Sequence, residues 1–195
     1  MSYKLPPLWF GVLAISALCG LLQLLGLTDL LAYQRSEIGN GEYWRLLTGN
    51  LLHTNLWHLL MNLSGMWVVV FIHRMHYSAS GFIGLMLSLL VVEGIGLYFA
   101  VPSLWGYVGL SGVLHGLFSF GSLCDIKCGL QSGYLLLLGV SVKVGWEQYA
   151  GANSEVTNLI NAPVAIDAHL IGLLSGVILF GLYWLGSRLL HKHLQ

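Results

Sequence analysis

Three short stretches hold the residue types that could do chemistry: HTNLWHLLMN (His53–Asn62), GYVGLSGVLHG (Gly106–Gly116) and DAHLIG (Asp167–Gly172). Ser111 sits among glycines at 106, 109, 112 and 116. Gly109 and Gly112 let backbone approach closely and let a loop turn sharply into a helix. A hydroxyl at a helix start lies near unpaired N–H groups, and the same peptide dipoles favour an oxyanion. To act as a nucleophile the serine needs a base within about 3 Å. Two histidines qualify. His115 shares the helix face at i+4 but lies a turn deeper, whereas His169 belongs to another helix and can face Ser111 across an interface. His169 is the favoured base.

Other chemistries stay open on these residues. His53, His58, His115 and His169 could supply imidazoles to a metal, with Asp167 or Glu93 adding a carboxylate, since zinc takes three or four such ligands. Against that, His53 and His58 are five residues apart, about 140° around a helix. Haem would want histidines stacked on two helices across the membrane, and the inner halves of the apolar runs are nearly free of polar groups. Transport and a purely structural role are the remaining alternatives. Serine hydrolysis best accounts for a serine, histidines and an asparagine at one depth. Asp167, two residues from His169, points to another helix face and is read as a rim residue, leaving a Ser111–His169 dyad. Glu93 is read as a structural hydrogen-bonding group, and Cys124 and Cys128 as small apolar residues at a helix end.

The elements that position these groups must be membrane helices. Of 195 residues 56% are hydrophobic and only 8% charged, against about 25% charge in soluble domains. Lysine plus arginine, 8, balance 8 acidic residues, so no basic surface exists for nucleic acid. A membrane helix needs about 20 mainly apolar residues. Six runs come close: Leu8–Leu31 (opened by Pro6 and Pro7), Asn55–Ile72, Gly81–Ala100, Leu110 to Cys124-Asp125, Gly133–Trp146 and Ala165–Leu185. The first is read as an uncleaved span rather than a signal peptide. Expected, then, is an all-α polytopic membrane protein, one domain over 1–195 with its core at 44–187. Lys4, Arg74, Lys127, Arg188 and Lys192 fall on the side of the termini; Arg35, Arg45 and Lys143 fall opposite. The bias puts both termini in the cytoplasm and Ser111, His58, Asn62 and His169 in the outer half of the bilayer. Gly112 and Gly116, like Gly172 and Gly176, have the spacing that permits close helix contact.

Together WRLLTGNLLHTNLWHLLMN, GLSG and AHLIG resemble the rhomboid family of intramembrane serine proteases, over Trp44–Gly176. The resemblance implies a six-helix rhomboid-like fold, with Ser111 as nucleophile and His169 as base. It implies that His58 and Asn62 hold the oxyanion, beside backbone at Gly109, and that Trp44, Arg45 and His53 have structural roles. Rhomboids often carry a tyrosine four residues after the serine, packed on the catalytic histidine; here that residue is His115, expected to pack on His169 as a ring. SGVLHG and DAHLIGLLSG resemble the rhombosortase branch. That implies substrates anchored by a C-terminal transmembrane tail and cut near a Gly-Gly signal, with no cofactor or metal. The implied setting is a bacterial inner membrane, with the site open to the periplasm. A non-catalytic rhomboid-like binding or chaperone protein, or a histidine-based metal or haem protein, is the alternative.

Overall fold

Polar side chains punctuate the apolar runs where the helices begin. Asn55 caps the second long helix by accepting from the His58 N–H at 2.9 Å, and Ser78 caps the third by accepting from Gly81 at 3.0 Å. The computed structural model describes residues 7–193, so Lys4 and Pro6 lie outside the described residues. Its long helices are α1 (Pro7–Leu25), α2 (Leu56–His73), α3 (Ala79–Ala100), α4 (Ser111–Lys127), α5 (Ser132–Ala150) and α6 (Ile166–His193). Four of them, α1, α2, α3 and α6, are long and apolar enough to cross a membrane. The chain is an all-α, multi-helix membrane protein with several apolar spans.

Some boundaries differ from those expected. The first run breaks at Gly26, which takes φ +62°, and a separate short helix covers Thr28–Leu31. The fifth runs a turn beyond Trp146, to Ala150, and is closed there by Gly151, which takes φ +83° and donates its N–H to the Glu147 carbonyl. The connection after α1 is folded. Its strand β1 (Tyr33–Gln34) pairs antiparallel with β2 (Gly106–Tyr107), the segment just before Ser111. Arg45 is buried there, donating to the carbonyls of Ala32 (2.9 Å) and Asp29 (2.8 Å) and to Glu42 (2.5 Å). Trp44, half exposed, donates from its indole to the Leu30 carbonyl at 3.2 Å.

Helix α4 is the centre of the bundle, packed by α2, α3, α5 and α6. It meets α6 backbone to backbone: a Cβ on Gly172 would stand 3.0 Å from the Gly112 Cα, and one on Gly116 would stand 2.7 Å from the Gly172 carbonyl oxygen. Away from the Ser111 end, α1 to α4 share an apolar core through Val12, Met66, Val70, Phe82, Met86 and Leu117. The opposite end of the bundle corrects the expectation of an almost unpolar half. There the buried Asp125 of α4 lies 3.1 Å from His73 Nδ1 and 2.6 Å from His76 Nε2, at the end of α2. Cys124 is buried beside it and Cys128 is exposed.

Candidate active site

Ser111 is the first residue of α4, and the turn that delivers it depends on Gly109, at φ +139°. The Tyr107 hydroxyl donates to the Gly109 carbonyl and steadies that turn. From α6, His169 brings Nε2 to 2.9 Å from the Ser111 Oγ. Its Nδ1 faces Oε2 of Glu147, from α5, at 2.8 Å. A carboxylate can only accept, so Nδ1 carries the proton of the neutral ring and Nε2 is left bare. The Ser111 hydroxyl therefore donates to the imidazole, the polarity a general base requires.

His115 stacks on His169, with ring centroids 4.2 Å apart and planes 21° from parallel. Its Nδ1–H donates to the Ser111 carbonyl at 2.7 Å, which leaves Nε2 to accept from Lys143 Nζ at 2.9 Å. Lys143 also donates to Glu147 Oε2 at 2.8 Å. It lies 3.2 Å from His169 Nδ1, but both are donors and both are served by the same carboxylate oxygen. Donor atoms of His115, Glu147 and His169 converge within 4.8 Å, as a metal site would need. The Lys143 ammonium stands against all three, so the cation position is filled by the chain's own charge.

On the other side of Ser111, His58 faces the Gly109 turn closely enough that a Cβ there would stand 2.9 Å from its Cε1. Thr54 flanks the far nitrogen, with its N–H 3.4 Å and its hydroxyl 3.1 Å from His58 Nδ1. Asn62 is buried, and its Nδ2 has no hydrogen-bond partner among the described residues. His53 corrects the helical-wheel expectation: it precedes α2, and its ring meets His58 edge to face at 5.1 Å. Burial, with His58 beside it, pushes the His53 imidazole down to about 3, so it is a neutral packing ring. Glu93 is fully buried beneath the site, with the Tyr107 hydroxyl 3.5 Å away. The sequence placed Gly112 and Gly172 as structural glycines, and both lie at the α4–α6 contact described above.

Ser111 borders two openings. One is a cavity of about 570 Å³ at the loop end of the bundle, lined by His58, Thr54, Tyr107, Ile160 and Asp167. The other is a groove of about 400 Å³ on the side of the bundle, between Asn62 and Gly65 of α2 and Leu135, Leu136 and Gly139 of α5. Residues 40–186 match the family model described as the Rhomboid domain. The chain belongs to the rhomboid family. Similar proteins include YdcA of Bacillus subtilis, 29% identical over 73% of this chain and 68% of its own length. GlpG of Haemophilus influenzae, a rhomboid protease, is 26% identical over 85% of this chain and 86% of its own. The rhomboid protease GluP of Bacillus subtilis is 27% identical over 74% of this chain, which spans about a quarter (27%) of GluP.

Two residues of this rhomboid site escaped the sequence reading. The motifs do not reach Glu147, and Lys143 enters only as an outer-side charge near the end of the fifth run. The available signal was an ionisable i, i+4 pair closing an otherwise apolar run, at the depth of Ser111.

Proposed function

We propose that this rhomboid is an intramembrane serine endopeptidase. The observation that carries the reading is the 2.9 Å contact between Ser111 Oγ and His169 Nε2, where the loop-end cavity meets the apolar side groove. A substrate helix reaching the groove from lipid presents its backbone to Ser111, while water reaches the same atom from the cavity. His169 takes the proton of Ser111 as Oγ attacks the scissile carbonyl. The oxyanion forms between the Ser111 backbone N–H and the side chains of His58 and Asn62, with the Gly109 turn leaving room for it. The unpartnered Asn62 amide supports that role, since a buried donor without an acceptor is costly unless a ligand supplies one. His169 then protonates the leaving amine, and water resolves the acyl-enzyme.

All six long helices cross the bilayer in this reading, with both termini cytoplasmic and the cavity open to the periplasmic side of a bacterial inner membrane. Helix α4 holds Gly112, Gly116, Ser119, Ser122 and Asp125 inward, and α5 turns Glu147 toward His169, which lowers their apolarity without removing them from the membrane. SGVLHG and DAHLIGLLSG, with the His115 ring stacked on His169, favour the rhombosortase subgroup. The substrates are then proteins anchored by a C-terminal transmembrane tail and cut at a Gly-Gly-type signal.

The test is labelling of detergent-purified protein by a fluorophosphonate probe, beside Ser111→Ala and His169→Ala. Labelling of the native protein alone, with the adduct on Ser111, is the expected result. Labelling that survives Ser111→Ala sinks the assignment, and stoichiometric zinc or haem retained by that variant favours a binding protein instead.

A further inference from the structure

Five hydrogen bonds at the site close into a ring that begins and ends on Ser111. The Ser111 hydroxyl donates to His169 Nε2 (2.9 Å), and His169 Nδ1–H donates to Glu147 Oε2 (2.8 Å). Lys143 donates to that oxygen (2.8 Å) and to His115 Nε2 (2.9 Å), and His115 Nδ1–H donates to the Ser111 carbonyl (2.7 Å). Each ring nitrogen has one partner of the right kind, and reversing one tautomer would set donor against donor or lone pair against lone pair.

The geometry points to Glu147 as a positioning residue for His169, held in place by Lys143, so that the site works as a serine–histidine–glutamate set rather than a dyad. This rests on the proposed serine hydrolysis. An exposed i, i+4 ion pair on a helix would explain Lys143 and Glu147 alone, but Glu147 is not exposed. Its side chain keeps only 16% of its accessibility and is spent on an imidazole from another helix. Asp167, on α6 itself, lines the cavity rather than serving Nδ1. In the reaction the proton moves from Ser111 Oγ to His169 Nε2. Glu147 keeps its charge, holds the Nδ1–H tautomer beforehand and stabilises the imidazolium afterwards. The half-exposed Lys143 ammonium, itself steered by His115, fixes the carboxylate oxygen and offsets its charge.

The substitution that isolates this role is Glu147→Leu, which removes the acceptor and leaves the Lys143 ammonium, a donor 3.2 Å away, as the group facing Nδ1. That would move the His169 proton to Nε2, where it meets the Ser111 hydroxyl as a second donor. Two readouts on the full chain in lipid nanodiscs decide it. The first is the fluorophosphonate labelling rate, which should fall about 10²-fold or more in Glu147→Leu and recover to within about tenfold in Glu147→Asp. The second is ¹⁵N NMR of histidine-labelled protein, with His169 assigned by its loss in His169→Ala. His169 should be the Nδ1–H tautomer in the native protein and in Ser111→Ala, and switch in Glu147→Leu. Native labelling that depends on Ser111 but is indifferent to Glu147→Leu overturns the inference and leaves serine hydrolysis standing, as does an unchanged tautomer. An unlabelled native protein whose tautomer still switches overturns the hydrolysis and keeps Glu147 as the group that orients His169.

Discussion

Replacing Gly172 by alanine adds one methyl group at the point where α6 touches α4. The new Cβ would stand 2.5 Å from the Gly112 carbonyl carbon and 3.0 Å from its Cα, where carbon atoms rest at about 3.5 Å. Backbone cannot turn aside as a side chain can, so the helices must part by about 1 Å. Overpacking of this kind costs about 1–3 kcal/mol of stability. The larger effect is on chemistry, because His169 lies one turn before Gly172 on the same face. Opening the pair lengthens the 2.9 Å contact between Ser111 Oγ and His169 Nε2 beyond hydrogen-bond range. A misplacement of about 1 Å is worth on the order of 10² in rate. The assay is the fluorophosphonate labelling rate, read beside the thermal midpoint in detergent, with Gly181→Ala as control. Gly181 is on the same helix and a Cβ there meets nothing within 4 Å; that variant should match the native protein in both readouts. Labelling of Gly172→Ala at the native rate would refute the reasoning that this backbone contact sets the distance between serine and base.

On the proposed oxyanion role, Asn62→Ala should lower kcat for a membrane-embedded protein substrate about 10²- to 10³-fold, the usual cost of one oxyanion donor, with little change in KM; a change confined to KM would place Asn62 in substrate binding instead. Acid should expose His53. Its folded pKa of about 3 lies below the ordinary 6.5, so the unfolded chain binds the proton first, and stability present above about pH 6.5 is lost as pH falls toward 3. At pH 4.5 the loss is about 2 to 3 kcal/mol, and His53→Phe should flatten the pH dependence of the thermal midpoint by that amount; equal slopes in both proteins would show that His53 is not the group responsible.

Much of the fold could be read from residues whose local physics leaves few options. Asn55 marks a helix start because its side chain accepts from the first free N–H groups. Gly109 and Ser111 mark the turn into α4, because that turn needs a positive φ. The glycines at 112 and 172 show that two helices approach closely, without saying which atoms then meet. What could not be read was partnership over long sequence distance. Glu147 and Lys143 look like an ordinary helix-surface pair until α5 is laid against α6, 22 residues from Glu147 to His169. His73, His76 and Asp125 each look like the polar end of a span, and only the packing of α2 on α4 joins them. His53 misled for a local reason: the helix begins at Leu56, so an angular argument from helix geometry did not reach it.

That pairing of Asp125 with two histidines has a mechanical consequence. It clasps α2 to α4 at the end of the bundle farthest from Ser111, whereas near Ser111 the side of α2 borders an open groove. Two rods riveted at one end behave like a clothes-peg. Any force that pries α2 outward is converted into travel at the jaws, beside Asn62, while the rivet barely moves.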